Sequence, residues 1–163
     1  MSGAVHRGGW VIALTFVVAL MLTVLPLPQW AALWRPPWVA LVLIYWCMAV
    51  PQRVGIAVAF VMGLCLDVLS GSALMGQHGL ALVIVAYITH RLHLRVRVFA
   101  PWQQGISIFV VILLYQAVVL WLHGMQGHAA PGSAVLTVAL SAMVLWPWVF
   151  VMLRDLRRRY EVN

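Results

Sequence analysis

One acidic side chain in this sequence stands where a carboxylate is chemically unusual. Asp67 lies inside Gly55–Ser72, GIAVAFVMGLCLDVLSGS, a run that is otherwise almost wholly apolar. The other two acids of the chain, Asp155 and Glu161, fall in a polar C-terminal tail. A carboxylate inside an apolar helix is costly unless it is paired, hydrogen-bonded or protonated. At helical spacing Gly55, Ala59, Gly63, Asp67 and Gly71 are each four apart and share one face. Four small residues and one carboxylate on a stripe describe a helix pressed closely against a neighbour. They predict that this helix is buried in the middle of the protein. Asp67 itself has three available roles. It can relay a proton, it can act as a structural acid bonding at the Ser70-Gly71-Ser72 break, or it can receive a partner's polar group. Ser70 or Ser72 can cap the helix that follows. Arg35 can pair with Asp67 if Asp67 sits near the outer face, a placement allowed by its position about 18 Å along the helix from Gly55.

The remaining reactive residues form no catalytic set. Catalysis needs groups whose pKa values are matched to a task, and no nucleophile–base constellation stands out. His6, His90, His93, His123 and His128 fall in or beside loops. His90 and His93, three apart at a helix end, can ligate a metal, although basic interface residues are the plainer reading. His78 lies near Asp67 in sequence, with no third ligand evident. Cys47 and Cys65 lie within apolar runs and read as small buried side chains, not as a disulfide or a metal pair. No cofactor, metal or enzymatic activity is expected. Gln103, Gln104 and Gln116 can bond between helices. The nine tryptophans gather near span ends, with Trp46 and Trp121 as exceptions, and read as interface anchors; an aromatic ligand cage is the alternative.

The elements that must position these residues are membrane helices. Of 163 residues, 65% are hydrophobic and 8% charged, and the mean hydropathy is +1.03. A soluble domain carries about 25% charged residues, so this composition cannot build a water-exposed surface. The apolar runs are too long for strands and lack strict alternation, which argues against an outer-membrane barrel. The pattern predicts an all-α integral membrane protein, one membrane domain over 1–163. Spans are expected at about 10–26, 36–50, 54–71, 74–90, 101–122 and 134–153, with a basic tail at 154–163. The 10–26 run is too long for a signal peptide and lacks an Ala-x-Ala site. Pro36, Pro37 and Pro101 suit helix starts. The run Trp38–Val50 reaches only about 20 Å against a ~30 Å hydrocarbon core. Either Pro36 and Pro37 lengthen that helix or it does not fully cross. Gly71, Gly76 and Gly79 mark a flexible break before the next helix, which can start as early as Ala73. Pro147, in Trp146-Pro147-Trp148, should kink the last span.

The net charge of +7 comes from ten arginines and no lysine. These flank apolar runs, so topology explains them better than nucleic-acid binding does. Six crossings put both termini on one side. Arg7, Arg53, Arg91, Arg95, Arg97, Arg154, Arg157, Arg158 and Arg159 then share the cytoplasmic side, and Arg35 alone is outside. A re-entrant hairpin over 38–71 would leave four crossings with the same charge bias. The basic loops and tail can also meet anionic lipid, at about 1 kcal/mol per near-surface arginine.

Several short phrases, in order, carry a family likeness. They are Arg35-Pro36-Pro37-Trp38, Leu43-Ile44-Tyr45-Trp46, Pro51-Gln52-Arg53, Gly63-Leu64-Cys65-Leu66-Asp67-Val68-Leu69-Ser70-Gly71, Trp102-Gln103-Gln104 and Leu145-Trp146-Pro147-Trp148. Together they resemble the bacterial rod shape-determining MreD family of gammaproteobacterial type, over nearly the whole chain. The resemblance maps shared positions onto Arg35, Pro36, Trp38, Gly63, Asp67, Ser70, Gly71, Trp146 and Pro147. One departure is Leu74-Met75-Gly76, where many relatives place Leu-Gly soon after the Ser-Gly-Ser. The resemblance implies a non-enzymatic inner-membrane component of the wall-elongation machinery. Its implied partners are MreC, a bitopic periplasmic protein, the actin-like MreB, and a peptidoglycan glycosyltransferase with a class B transpeptidase. It also implies a six-helix fold like the substrate-binding subunits of energy-coupling-factor transporters.

Two functions follow. A structural partner of the rod complex would use the small-residue face, with Gly55, Ala59, Gly63, Asp67, Ser70 and Gly71, together with Arg35, Trp38 and Pro147, for protein contact. A small-ligand-binding transport subunit would use an outward cavity lined by Trp34, Trp38, Tyr45 and Asp67. An intramembrane enzyme lacks the residues it would need.

Overall fold

Prolines and glycines set most of the helix ends. The computed structural model describes residues 8–72, 74–96, 98–127 and 132–162, and among them are seven helices and no strand. Helix α1 spans Gly9–Val24 and stops short of Pro26 and Pro28. A single turn, α2 (Gln29–Ala32), lies within the proline-rich connection. Helix α3 is Trp38–Ala49, α4 Ile56–Ser70, α5 Gln77–Val96, α6 Pro101–Met125 and α7 Ser133–Arg159.

The observed ends differ from the expected spans in instructive ways. Pro36 and Pro37 stand before α3, whose first turn begins when Leu41 N–H donates to the Pro37 carbonyl, so they do not lengthen it. Helix α5 continues past residue 90 to Val96, which places His90, Arg91, His93 and Arg95 on a helix and not in a loop. Helix α7 continues through Pro147 and past residue 153 to Arg159. Arginine is a good helix former, and positive side chains suit a helix C-terminus. The basic segments therefore extend helices where polarity suggested irregular chain. The suggested start at Ala73, and His6, Arg7, Arg97 and His128, lie outside the described residues.

The centre of the bundle is α3. Every residue from Val39 to Met48 is buried, so this helix is covered on all sides, as an all-round apolar helix requires. Its neighbours are α1, α5 and α7. The expectation that the Asp67 helix occupies the middle is corrected: α4 buries Ala59, Gly63, Leu66 and Asp67 and turns Ile56, Phe60, Val61, Val68 and Leu69 outward. In a membrane protein both the core face and the lipid face are apolar, so composition does not separate a central helix from a flanking one. Trp46 is fully buried, and its Nε1–H donates to Thr15 Oγ1 at 2.9 Å while Thr15 donates to the Ile12 carbonyl at 2.7 Å. That chain ties α3 to α1. Tyr45 meets Phe150 edge-on at 5.7 Å between centroids, and Trp146 packs against Phe150 at 6.0 Å. These aromatics tie α3 to α7. Trp146 is thus a core residue and not an interface anchor, while Trp10, Trp30, Trp34, Trp102, Trp121 and Trp148 are exposed.

Helices α5, α6 and α7 are long and apolar enough to cross a membrane, and α1, α3 and α4 are shorter apolar helices. Gly8 lies against Val162, and the Trp10 and Tyr160 rings meet at 5.1 Å. The start of α1 and the end of α7 therefore occupy one face of the bundle.

Helices α4 and α5 cross in backbone contact. A Cβ placed on Gly63 would lie 2.2 Å from the Gly79 Cα and 2.4 Å from its nitrogen, so the two backbones touch directly. Gly79 belongs to α5 and is buried; the crossing, and not loop flexibility, explains its glycine. Gly63→Ala should lower the unfolding free energy in mixed micelles by about 1–3 kcal/mol through forced separation of the two helices. Gly124→Ala, in α6 where nothing lies within 4 Å, should instead raise it, by up to about 1 kcal/mol of helix propensity. Equal effects at the two sites would contradict the backbone contact.

Candidate functional site

Asp67 sits in the last turn of α4, and its backbone and side chain do different jobs. Gly71 takes the left-handed conformation, φ 62° and ψ 35°, which glycine adopts at no steric cost. Ser72 N–H then donates to the Asp67 carbonyl at 3.0 Å and Gly71 N–H to the Val68 carbonyl at 3.3 Å. This pair of bonds is a Schellman motif, and it ends α4 with its last carbonyls satisfied. The chain turns and α5 begins at Gln77, just after Gly76, whose carbonyl accepts from Leu80 N–H at 2.8 Å.

The Asp67 carboxylate closes the other side of that turn. Gly76 N–H donates to Oδ2 at 2.7 Å, His78 N–H to Oδ1 at 3.2 Å, and the His78 ring Nδ1 lies 2.7 Å from Oδ1. All three are N–H donors, which a carboxylate accepts. Two of them are amides at the start of α5 that have no partner within their own helix. A negative side chain at a helix N-terminus is also favoured by the helix dipole. Asp67 is 1% exposed, so this is a buried charge site in which each polar group has a partner. The required acid is supplied from the preceding helix, where a cap usually comes from the residue beside the helix start.

A second set of bonds extends the site to α6. Gln77 is buried, and its Nε2 lies 3.2 Å from His123 Nε2 and 3.5 Å from Ser72 Oγ. His123 Nδ1 lies 3.0 Å from the Val119 carbonyl, which assigns the proton to Nδ1 and leaves Nε2 to accept from Gln77. Gln126 Nε2 donates to Gln77 Oε1 at 3.1 Å. The Tyr115 ring lies 6.4 Å from that of His78. One end of the bundle is thus fastened by a polar network joining α4, α5 and α6. Among the described residues no hydroxyl or thiol bonds to the His78 ring.

The residues marked in the sequence are dispersed around this network. Ala59, Gly63 and Asp67 are buried between α4 and α5, Gly55 is the half-buried residue before α4, and Ser70 and Gly71 are exposed. The stripe's buried part therefore faces a helix of the same chain. The expected Arg35–Asp67 pair does not form: Arg35 donates to the Leu25 carbonyl, and Asp67 is filled by Gly76 and His78. Neither Ser70 nor Ser72 caps α5, because the Asp67 carboxylate already holds its first amides. Trp38 is partly buried beside the core, and Pro147 is exposed next to buried Trp146. The expected cavity of Trp34, Trp38, Tyr45 and Asp67 is not assembled. Trp38 lines a groove with α1 and α7, Tyr45 lines a hollow at the basic end, and Asp67 is closed off at the opposite end of α4. His90 and His93 rings lie 5.3 Å apart, and no group of three possible metal ligands occurs among the described residues. Cys47 and Cys65 are free, the first buried. Gln104 bonds between elements, donating to the Val96 and Phe99 carbonyls at 3.2 and 3.3 Å.

Sequence reasoning missed Gly76, Gln77, His123 and Gln126, and placed His78 near Asp67 without a role. The usable signal was an acid at the end of one helix followed, across a glycine break, by the start of another. Asp67→Leu leaves two buried amides without an acceptor and should cost about 2–4 kcal/mol in unfolding free energy. His78→Ala removes only the ring contact and should cost about 1 kcal/mol. Equal losses for the two variants in mixed-micelle unfolding would contradict the backbone amides as the main partners.

Comparison of the sequence with known proteins points to one family. Residues 6–156 match the family model described as rod shape-determining protein MreD. A curated relative from Haemophilus influenzae, named rod shape-determining protein MreD, is 35% identical over 152 residues, covering 91% of each chain. No solved structure matches. The chain belongs to the rod shape-determining MreD family.

Proposed function

We propose that this protein is a non-enzymatic membrane component of the bacterial rod, or elongation, complex. In this reading it supports lateral peptidoglycan synthesis and cell shape by holding an MreC-like bitopic protein and the glycosyltransferase–transpeptidase pair in place. Actin-like MreB is the partner on the cytoplasmic side. The observation that carries the reading is where the polar groups go. The Asp67–His78–Gln77–His123 network is spent on fastening helices to one another, so the membrane domain offers a rigid shape and no reactive group. Membership of a cell-shape family supports the same conclusion. No cofactor takes part.

The proposed topology has six crossings in the inner membrane, with both termini in the cytoplasm. Adjacency of the α1 start and the α7 end supports an even number of crossings. Arg53, Arg91, Arg95 and the α7 arginines lie at that same end of the bundle and Arg35 at the other, which supports a cytoplasmic assignment for the basic end. The shorter α1, α3 and α4 cross by local thinning and by the cover that α5–α7 give them. In a chain whose native cysteines are replaced by alanine, Arg159→Cys should react with an impermeant maleimide only from the cytoplasmic side. Ser133→Cys should react only from the periplasmic side. Labelling of both from one side would sink the six-crossing arrangement.

The function is tested by a mild-detergent pull-down of the tagged protein from its own membrane, with protein and lipid mass spectrometry of the eluate. A bitopic MreC-like protein in near-equal amount is expected. Recovery of a small ligand with a nucleotide-hydrolysing complex, and no such partner, would point instead to a transport subunit.

A further inference from the structure

The basic end of the bundle holds a cavity walled in part by arginines. Phe150, Arg154, Arg157 and Arg158 of α7 line this cavity of about 160 Å³, with Tyr45, Met48 and Ala49 of α3 and Gln104 of α6 completing its walls. The Gln104 amide N–H groups are already given to the Val96 and Phe99 carbonyls, so the donors that remain in the lining are the three arginines and the Tyr45 hydroxyl. Opposing charge is scarce. Asp155 lies 3.6 Å from Arg154 Nε, and that nitrogen is enclosed and makes no hydrogen bond. Among the described residues no carboxylate lies within 4.0 Å of Arg157 or Arg158. Three guanidinium groups around one hollow match the oxygens of a phosphate, which arginine binds bidentately.

The surroundings identify the source of that phosphate. The cavity opens at the basic end of a bundle of apolar helices, the depth at which lipid headgroups lie, and its other walls include apolar Met48, Ala49 and Phe150. We propose that this site binds the phosphate of one anionic phospholipid on Arg154, Arg157 and Arg158. Basic pockets between membrane helices are suited to such headgroups. The inference rests on the membrane embedding proposed above but not on any protein partner.

The test is native mass spectrometry of the purified full-length chain in neutral detergent, titrated with phosphatidylglycerol, cardiolipin and phosphatidylcholine. The wild type should hold phosphatidylglycerol or cardiolipin at least about tenfold more tightly than phosphatidylcholine. Arg154→Gln/Arg157→Gln/Arg158→Gln should abolish that preference. Arg53→Gln/Arg91→Gln/Arg95→Gln removes the same charge at the same end and should keep it within about threefold. Arg157→Lys, which retains the charge but not the fork, should fall between, and it guards against misfolding of the triple variant. Equal losses in the two triple variants would mean diffuse charge attraction and overturn the site. Displacement of lipid by millimolar inorganic phosphate would mean a free-phosphate site. Binding of a polyglutamate peptide in place of lipid would mean an acidic protein partner. Failure of the partner pull-down would leave these lipid titrations unaffected, so the two readings fail separately.

Discussion

In a bilayer the unpaired amides at the start of a helix cannot be left to water, and an acid at the end of another cannot be left alone. Asp67 resolves both problems at once. Its carbonyl closes the C-terminus of α4, and its carboxylate takes the first amides of α5 together with the His78 ring. The turn between the two helices is thereby fixed from both sides. That fixed turn sets where α4 and α5 cross, and the crossing is close enough that only glycine fits at 63. Helix α5 in turn packs on central α3, and through Gln77, His123 and Gln126 it is pinned to α6.

The two ends of the bundle have opposite characters. At the Asp67 end the polar groups of α4, α5 and α6 pair with one another inside the protein, and Arg35 bonds to the Leu25 carbonyl. At the other end three α7 arginines border a cavity, with Asp155 beside Arg154. Between the ends the contacts are apolar or aromatic, with the Trp46–Thr15 bond as a buried exception. One end is suited to holding a fixed shape and the other to meeting anions. That division is consistent with the rod shape-determining family to which the chain belongs.

The class of the protein was legible in the sequence because composition alone rules out a water-exposed surface. Asp67 was legible too, as the acid that an apolar run should not contain. Its partners were not, because two of the three are backbone amides, which carry no residue-type signal. His78 was seen near Asp67 in the sequence, but it was weighed as a metal ligand lacking a third partner and not as the acid's hydrogen-bond donor. Gly63 was recognised on a small-residue face. Its opposite number, Gly79, was hidden because the glycines around 71–79 read collectively as a loop, whereas only Gly71 and Gly76 take positive φ there. The central position of α3 left no periodic trace, since lipid and protein interior ask for the same side chains. The reach of α5 and α7 was underestimated because charge was taken as the end of a helix, and arginine continues one.

The most direct measurement is amide hydrogen exchange, resolved to single residues, on the protein in lipid nanodiscs, comparing wild type with Asp67→Asn. The account predicts that Gly76 and His78 amides are protected in the wild type. In the variant they should lose at least about tenfold protection, while the middle of α6 and α7 keeps its own. Unchanged protection at Gly76 and His78 would show that the carboxylate does not hold the start of α5, and the central claim would fail.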